Sequence, residues 1–148
     1  MSMSPAADHW NRREVCVTGG TGFLGYHLCK ILSELGAIVR VYALRPRPDH
    51  PVRALPNVRV IDGDILDAQA VRQAIDGCAT VFHTAGIVSV FGIPDSKVMS
   101  VHVGGTQNVL DGLGPSARLV HTSSMVAVGW SRSRTPVTED TPFSKTCA

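Results

Sequence analysis

Three regularly spaced glycines separate a strand-like segment from a helix-like segment near the start of this 148-residue chain. Residues 14–18 (EVCVT) are followed by Gly19, Gly22 and Gly25, and apolar residues then recur at helical spacing as far as Leu35. In such a turn the first glycine permits a tight bend, the second lets a pyrophosphate approach the backbone, and the third lets the helix pack closely on the strand. The pattern therefore predicts a phosphate-binding turn, because the helix also begins with free N–H groups that attract anions.

Strand and helix patterns alternate along the rest of the chain. Further strands are predicted at 38–44, 58–61, 79–84 and 117–122, and helices at 22–35, 67–75 and 96–113. Short strands that are apolar on both faces and alternate with helices predict an α/β fold with a doubly wound parallel sheet of the Rossmann type. Right-handed crossovers give the strand order 3-2-1-4-5, with a ligand expected at the carboxyl ends of the first and fourth strands.

Composition and charge exclude several classes of protein. The formal charge of +2 is too small to indicate a nucleic-acid partner, and no apolar run approaches the roughly 18–20 residues of a membrane span.

Residues 1–13 lack the apolar segment of a secretory signal, and we expect a disordered leader before one domain over residues 14–148. The four cysteines (Cys16, Cys29, Cys78 and Cys147) show no CxxC spacing, which favours reduced thiols in a cytoplasmic protein.

Five segments together carry a resemblance to a known superfamily. They are TGxxGxxG from Thr18 to Gly25, DILD at 64–67, HTAG at 83–86, VHVGGTQNVL at 101–110 and HTSSMVAVG at 121–129. In this order the chain resembles the extended short-chain dehydrogenase/reductases, which include NAD(P)-dependent epimerases, dehydratases and 3β-hydroxysteroid-dehydrogenase-like reductases. The resemblance covers essentially the whole chain after the leader and implies a dinucleotide cofactor.

The resemblance also implies which residues bind that cofactor. They are Thr18, Gly19, Gly22, Phe23, Leu24, Gly25, Arg45, Asp64, Ile65, Thr84, Ala85 and Gly86. Asp64 is expected to contact the adenine amino group, or to cap a turn or a helix, and the two interpretations are compatible. His83 is expected to pack at a strand end rather than to act as a base.

The choice between NADP and NAD depends on the end of the second strand. An acidic residue roughly 20 positions past the last glycine would bind the ribose 2′-hydroxyl of NAD. Residues 40–47 (RVYALRPR) contain no such acid. Arg45 lies where a guanidinium could hold a 2′-phosphate, although a solvated loop arginine is the alternative interpretation. We therefore expect NADP in preference to NAD.

Reduction requires a hydroxyl that holds the substrate oxygen, together with an acid/base group and a cation. By resemblance the hydroxyl is that of Ser124, with Ser123 as the alternative, and the other two groups belong to a YxxxK helix further along. The sequence ends at Ala148 without that helix, and the match from Tyr26 to Lys30 falls in the first helix, away from any nicotinamide site.

A second departure from the superfamily is His102, which replaces the Asn of an NVxGT motif. The resemblance implies that an Asn at this position would support the active-site backbone and a water relay. A histidine could still donate a hydrogen bond there, whereas Thr106 and Asn108 fit the motif and are expected to be structural.

Together these features predict the NAD(P)-binding portion of an extended short-chain oxidoreductase, close to hydroxysteroid dehydrogenases and dihydroflavonol reductases. Without the YxxxK pair and the C-terminal substrate region, the chain is expected to be inactive or nearly so. The alternatives are part of a nucleotide-sugar epimerase or dehydratase, and a non-catalytic NADP-binding module. The expected partners are the dinucleotide, a small carbonyl or alcohol substrate in the full-length relative, and a second copy at the exposed sheet edge.

Overall fold

A parallel five-stranded sheet forms the centre of the molecule in the computed structural model, which describes residues 5–88, 93–124, 127 and 136–141. The strands are β1 (Glu14–Thr18), β2 (Ile38–Ala43), β3 (Val58–Asp62), β4 (Thr80–His83) and β5 (Arg118–His121). The helices are α1 (Pro5–Trp10), α2 (Phe23–Glu34), α3 (Ala68–Ile75), α4 (Asp95–Met99) and α5 (Gly105–Gly112). The strand order β3-β2-β1-β4-β5 confirms the predicted Rossmann-type sheet.

The central strand β1 is buried on both faces of the sheet. Val15 and Val17 lie in a core cluster with Cys29 of α2, whereas Cys16 lies in a second cluster with Val109 of α5. Strands that are covered by helices on both faces have no solvated side, so their sequences show uninterrupted apolar runs. This is why β1, β2 and β4 could be identified from the sequence.

Three of the four cysteines are buried free thiols within these clusters, namely Cys16, Cys29 and Cys78. Burial raises the pKa of Cys29 to about 12 and also raises that of Cys16, so the reactive thiolate forms are disfavoured. The three thiols therefore act as small core residues, as the sequence indicates. Cys147 lies outside the described residues.

The N-terminal segment differs from the predicted disordered leader, because residues 5–10 form the helix α1. The partly buried Trp10 packs on the first core cluster, and its ring lies 5.8 Å from that of Phe82. The next turn is also anchored, since Arg12 N–H donates to the carbonyl oxygen of Gly36 at 2.8 Å. The contact of Trp10 thus attaches the end of α1 to the core.

The long helix predicted at 96–113 consists of three consecutive pieces. A π-helical turn over Ser100–Gly104 separates α4 from α5. Gly105 then lets α5 approach the loop after β3, because a Cβ there would lie 2.9 Å from Ile65 Cγ1. Local widening of a helix into a π turn is frequent at functional sites. Within the described ranges, no helix is long and apolar enough to cross a membrane.

Candidate dinucleotide site

The turn between β1 and α2 excludes side chains at two glycine positions. Gly19 has a φ of +70°, and a Cβ there would lie 2.7 Å from the Cα of Ala85. At Gly25 a Cβ would lie 2.7 Å from the Cα of Gly20 and would also overlap the carbonyl oxygen of Gly19. Backbone atoms cannot move aside as a flexible side chain can. The missing Cβ atoms at these two positions therefore set how closely α2 and β4 approach the turn.

Gly22, the middle glycine, is the N-cap of α2, and no side chain caps this helix end. A Cβ at Gly22 would meet only the carbonyl oxygen of Gly19, at 3.2 Å, so the side facing the solvent is open. The side chains of Phe23 and Leu24 are 87% and 52% exposed. These two residues can therefore contribute through the backbone N–H groups of the first helical turn, which lack intrahelical acceptors.

A cleft of about 420 Å³ opens beside this turn at the carboxyl ends of the strands. Seven predicted cofactor-binding residues line it: Gly19, Gly22, Asp64, Ile65, Thr84, Ala85 and Gly86. Nine lining residues were missed by sequence reasoning: Thr21, Tyr42, Ala43, Leu44, Gly63, Leu66, Ile87, Lys97 and Val101. They lie in the glycine turn, at the end of β2, in the loops after β3 and β4, and in the helical segment after β4. Thr21, Leu66 and Val101 belong to the quoted motifs, whereas the others carry no motif that could have indicated them.

The loop after β3 is held rigidly against the neighbouring strand and helix. Asp64 accepts from Leu66 N–H at 3.0 Å, and its carbonyl oxygen accepts from the Tyr42 hydroxyl at 2.8 Å. The amide of Asn108 donates to the carbonyl oxygen of Ile65 at 2.9 Å. Asp64 thus has the turn-forming role that the sequence allowed, and α3 is capped instead by Asp67. Asn108 has the structural role that was expected.

A chain of hydrogen bonds runs beneath the cleft from β1 through β4 to α5. Thr18 Oγ1 accepts from Ala85 N–H at 3.2 Å and lies 2.7 Å from His83 Nδ1. On the other side of the ring, His83 Nε2 lies 3.1 Å from Thr106 Oγ1, and that hydroxyl donates to the carbonyl oxygen of His102. Thr18 is fully buried, so its side chain supports Ala85 from below instead of lining the cleft.

The hydrogen bonds of Thr106, together with burial, determine the protonation state of His83. Because the Thr106 hydroxyl donates its hydrogen to His102, Thr106 must accept from His83 Nε2–H. The Thr18 hydroxyl then donates to the unprotonated His83 Nδ1. Burial, together with the neighbouring rings of His121 and His102, lowers the pKa of His83 to about 4. His83 therefore stays neutral at physiological pH and has a structural role, as expected from the sequence.

His102 connects the π turn to the loop that follows β4. Its Nε2 lies 2.9 Å from the carbonyl oxygen of Ile87, and a Cβ at Gly86 would lie 2.7 Å from its Cε1. Both Gly86 and Ile87 line the cleft. The histidine therefore supplies a hydrogen bond to the backbone at the position where the sequence resemblance implies an asparagine.

Arg45 lies just past the end of β2, beside the cleft but outside its lining. Its backbone has a φ of +46°, its N–H donates to Asp62 Oδ1 at 2.8 Å, and its side chain is exposed. Asp62 ends β3 in register with Ala43 of β2. The structure thus brings a carboxylate to the end of β2 that inspection of residues 40–47 could not reveal.

Ser124 lies three residues past β5, on the carboxyl side of the sheet, and is exposed. Neither tyrosine of the chain lies on β5 or on its neighbour β4. Tyr26 lies in α2 with its ring 5.7 Å from that of His50, away from the cleft lining. Tyr42 is 2% exposed, and burial raises its pKa to about 12. Lys145, which has Thr141 instead of a tyrosine four residues before it, lies outside the described residues.

Solved structures with this architecture include nucleotide-sugar enzymes. An epimerase from Methanothermobacter thermautotrophicus superposes with a TM-score of 0.76 at 25% identity, over 92% of this chain and 42% of that one. UDP-glucose 4-epimerase from Brucella ovis, solved in complex with NAD, superposes with a TM-score of 0.71 at 29% identity, over 86% of this chain and 40% of that one. These similarities support the fold.

Curated relatives with higher sequence identity include hydroxysteroid dehydrogenases. The chain is 40% identical over 140 residues to 3 beta-hydroxysteroid dehydrogenase type 7 of Mus musculus, covering 86% of this chain and 37% of the mouse protein. It is also 40% identical over 121 residues to 3 beta-hydroxysteroid dehydrogenase/Delta 5→4-isomerase of Mycobacterium tuberculosis, of which it covers 31%. The chain thus spans about a third of the length of these relatives. Residues 16–147 match the 3-beta hydroxysteroid dehydrogenase/isomerase family, and the chain belongs to that family.

Proposed function

We propose that this chain binds a nicotinamide dinucleotide in the cleft beside the glycine turn and forms the cofactor-binding part of an oxidoreductase. The proposed substrate is an alcohol or carbonyl compound of the hydroxysteroid type, as the names of the relatives indicate. The observation that carries the proposal is the uncapped N-terminus of α2, which opens at Gly22 into the cleft. Such a helix end provides N–H donors and a positive dipole for a diphosphate.

The shape of the cleft supports an extended ligand of this kind. The diphosphate would lie over Gly22, and the adenosine half would extend toward Leu44 and Asp64 at the ends of β2 and β3. The nicotinamide half would lie toward Ala85 and Gly86, where the absence of larger side chains leaves room for it. When bound, the dinucleotide would supply the hydride chemistry, and the chain would position it.

We further propose a preference for NADP that depends on Arg45. Its exposed guanidinium follows Leu44, which lines the cleft, and it has a planar donor set that suits a phosphate. The nearby Asp62 is the feature that argues for NAD, but one of its oxygens already accepts from Arg45 N–H. The proposed preference therefore depends on one contact, that of the Arg45 guanidinium with the 2′-phosphate of NADP.

For catalysis we propose that the Ser124 hydroxyl holds the substrate oxygen. The acid/base group is not supplied by Tyr26 or Tyr42, the only tyrosines of this sequence. We accordingly propose that the chain by itself binds the cofactor but transfers protons poorly. Since the pair of groups that moves the proton normally contributes a large part of the rate, steady-state turnover is expected to be very low.

An epimerase activity is the second candidate, because solved neighbours such as the Brucella ovis enzyme are UDP-sugar epimerases. The family match favours the hydroxysteroid branch. The proposal also includes a cytoplasmic location, which the three buried free thiols support, and self-association at the outer edge of β5.

Fluorescence titration of the purified chain with NADPH and NADH tests the central proposal. We expect both to bind, NADPH about tenfold more tightly, since a charge-assisted contact to the 2′-phosphate is worth roughly 1.5 kcal/mol or more. Arg45→Gln should remove the difference between the two cofactors, whereas Arg53→Gln, in the 3-10 turn over Pro51–Ala54, should preserve it. Binding of neither cofactor would overturn the proposed function, and tighter binding of NADH would overturn the assignment to Arg45.

A further inference from the structure

Lys97 is the one cation among the described residues that line the dinucleotide cleft. It lies in α4, and Gly19, Thr21 and Gly22 of the turn between β1 and α2 line the same cleft. No sequence motif indicated it, and Arg45, the cation that the sequence did indicate, lies outside the lining. The helix after β4 thus places a positive charge in the same cleft as the phosphate-binding turn.

The turn and the N-terminus of α2 alone cannot neutralise the charge of a bound diphosphate. A diphosphate carries about two negative charges, whereas a helix N-terminus provides roughly half of one positive charge. No charged side chain is present in the first turn of α2, which begins with Phe23, Leu24 and Gly25. Asp64 adds a carboxylate to the lining, which increases the need for a cation when a dinucleotide is bound.

Lys97 is available for that purpose. Among the described residues it forms no ion pair, and the two ion pairs that are present join Arg40 to Glu14 and Arg47 to Asp49. Its side chain is exposed, so the ammonium group remains hydrated until a ligand arrives. A lysine acts as a point charge on a flexible stem, which suits a phosphate whose oxygens offer several directions of approach.

We propose that Lys97 binds the diphosphate of the dinucleotide from α4, opposite the N–H groups of α2. This inference rests on the proposed function and adds a residue to it. It assigns the cation to the part of the cofactor that NAD and NADP share. Lys97 therefore contributes to affinity for both, whereas Arg45 contributes to the choice between them.

Calorimetric titration of Lys97→Met with NAD⁺, NADP⁺ and ADP-ribose tests this assignment. The affinity for all three should fall by a similar factor, about five- to tenfold, since an exposed charge-assisted contact lies at the low end of its range. Lys97→Arg should restore most of the affinity, and raising the ionic strength should shrink the difference from wild type. Lys30→Met, an exposed lysine of α2 outside the cleft lining, is the matched control.

Each other outcome overturns the assignment in a recognisable way. An unchanged affinity for all three ligands means that Lys97 does not reach the cofactor. A loss confined to NADP⁺ places Lys97 at the 2′-phosphate instead of the diphosphate. If the wild-type chain binds none of the three ligands, it is the proposed function that fails, independently of Lys97.

Discussion

Two sides of the cleft are built by different physical means. The side formed by β1 and α2 depends on glycines whose missing side chains let backbone touch backbone, as at Gly19 and Gly25. The side formed by β4 and the π turn depends on side-chain hydrogen bonds through His83 and His102. The first side should therefore be sensitive to added volume and insensitive to pH, whereas the second should respond to pH.

The largest effect is expected from Gly25→Ala. The new Cβ would lie 2.7 Å from the Cα of Gly20, so α2 must move away from the turn. We expect a loss of about 3 kcal/mol in the free energy of unfolding, as for severe overpacking, together with loss of measurable dinucleotide binding. Urea denaturation and NADPH titration measure the two effects.

The matched control is Gly114→Ala, because nothing lies within 4 Å of the corresponding Cβ. That variant should stay within about 0.5 kcal/mol of wild type. Equal stability of the two variants would show that the glycine side is not held by close contact, and the contrast between the two sides would then be lost.

The second effect concerns pH and the other side of the cleft. Folding lowers the pKa of His83 to about 4 from an ordinary value of 6.5, so the unfolded chain takes up this proton first as the pH falls. His83 therefore does not change the free energy of unfolding above about pH 6.5, and that free energy falls as the pH decreases from there toward 4. Between pH 7 and pH 4.5 the loss should be about 2 kcal/mol.

This pH effect is measured as a difference between variants, because carboxylates also titrate in the same range. His83→Gln should be less stable than wild type at pH 7 but should lose about 2 kcal/mol less on acidification. Parallel profiles for the two proteins would contradict a neutral, buried His83.

A smaller effect should follow from Thr18→Val, which removes the hydroxyl and keeps the shape. The Ala85 N–H and the His83 Nδ1 would then both lack their buried partner. A cost of about 1–3 kcal/mol in unfolding free energy is expected, the usual penalty for an unsatisfied buried group. Thr18→Ser keeps the hydroxyl and should retain more than half of that stability, measured by urea denaturation; a serine variant as unstable as the valine one would point to methyl packing instead.

The same contrast explains how much of the molecule was predictable. The fold was predicted because its signals are local: β1 has the bounds that its sequence indicated, and the glycine turn is contiguous. Helix α1 was missed because six residues have too little helical propensity of their own, and Trp10 is held by tertiary contacts with the core.

The side chains around the cleft were less predictable, because strand register and helix placement bring them together. Asp62 approaches the end of β2 only through its pairing with Ala43, and Lys97 reaches the cleft because of where α4 begins. Thr18 was assigned to the cofactor because it belongs to the glycine motif, yet its hydroxyl is used below the cleft. A sequence motif indicates which segments of the chain form a site, whereas the direction of each side chain depends on the packing.

The smallest effect is expected at His102, on the side of the cleft formed by β4 and the π turn. It is measured as a change in the affinity for NADPH. His102→Ala removes the hydrogen bond to Ile87 and should weaken NADPH binding about threefold, since an exposed hydrogen bond is worth roughly 0.5–1 kcal/mol. His102→Asn should stay closer to wild type because an amide can donate to the Ile87 carbonyl oxygen or accept from the Ile87 N–H. Gln107→Ala removes an exposed hydrogen bond of α5 to Asp111, outside the cleft lining, and should leave binding unchanged. A loss of more than tenfold in His102→Ala would show that the imidazole contacts the dinucleotide directly, because positioning through one backbone contact cannot supply that much binding energy.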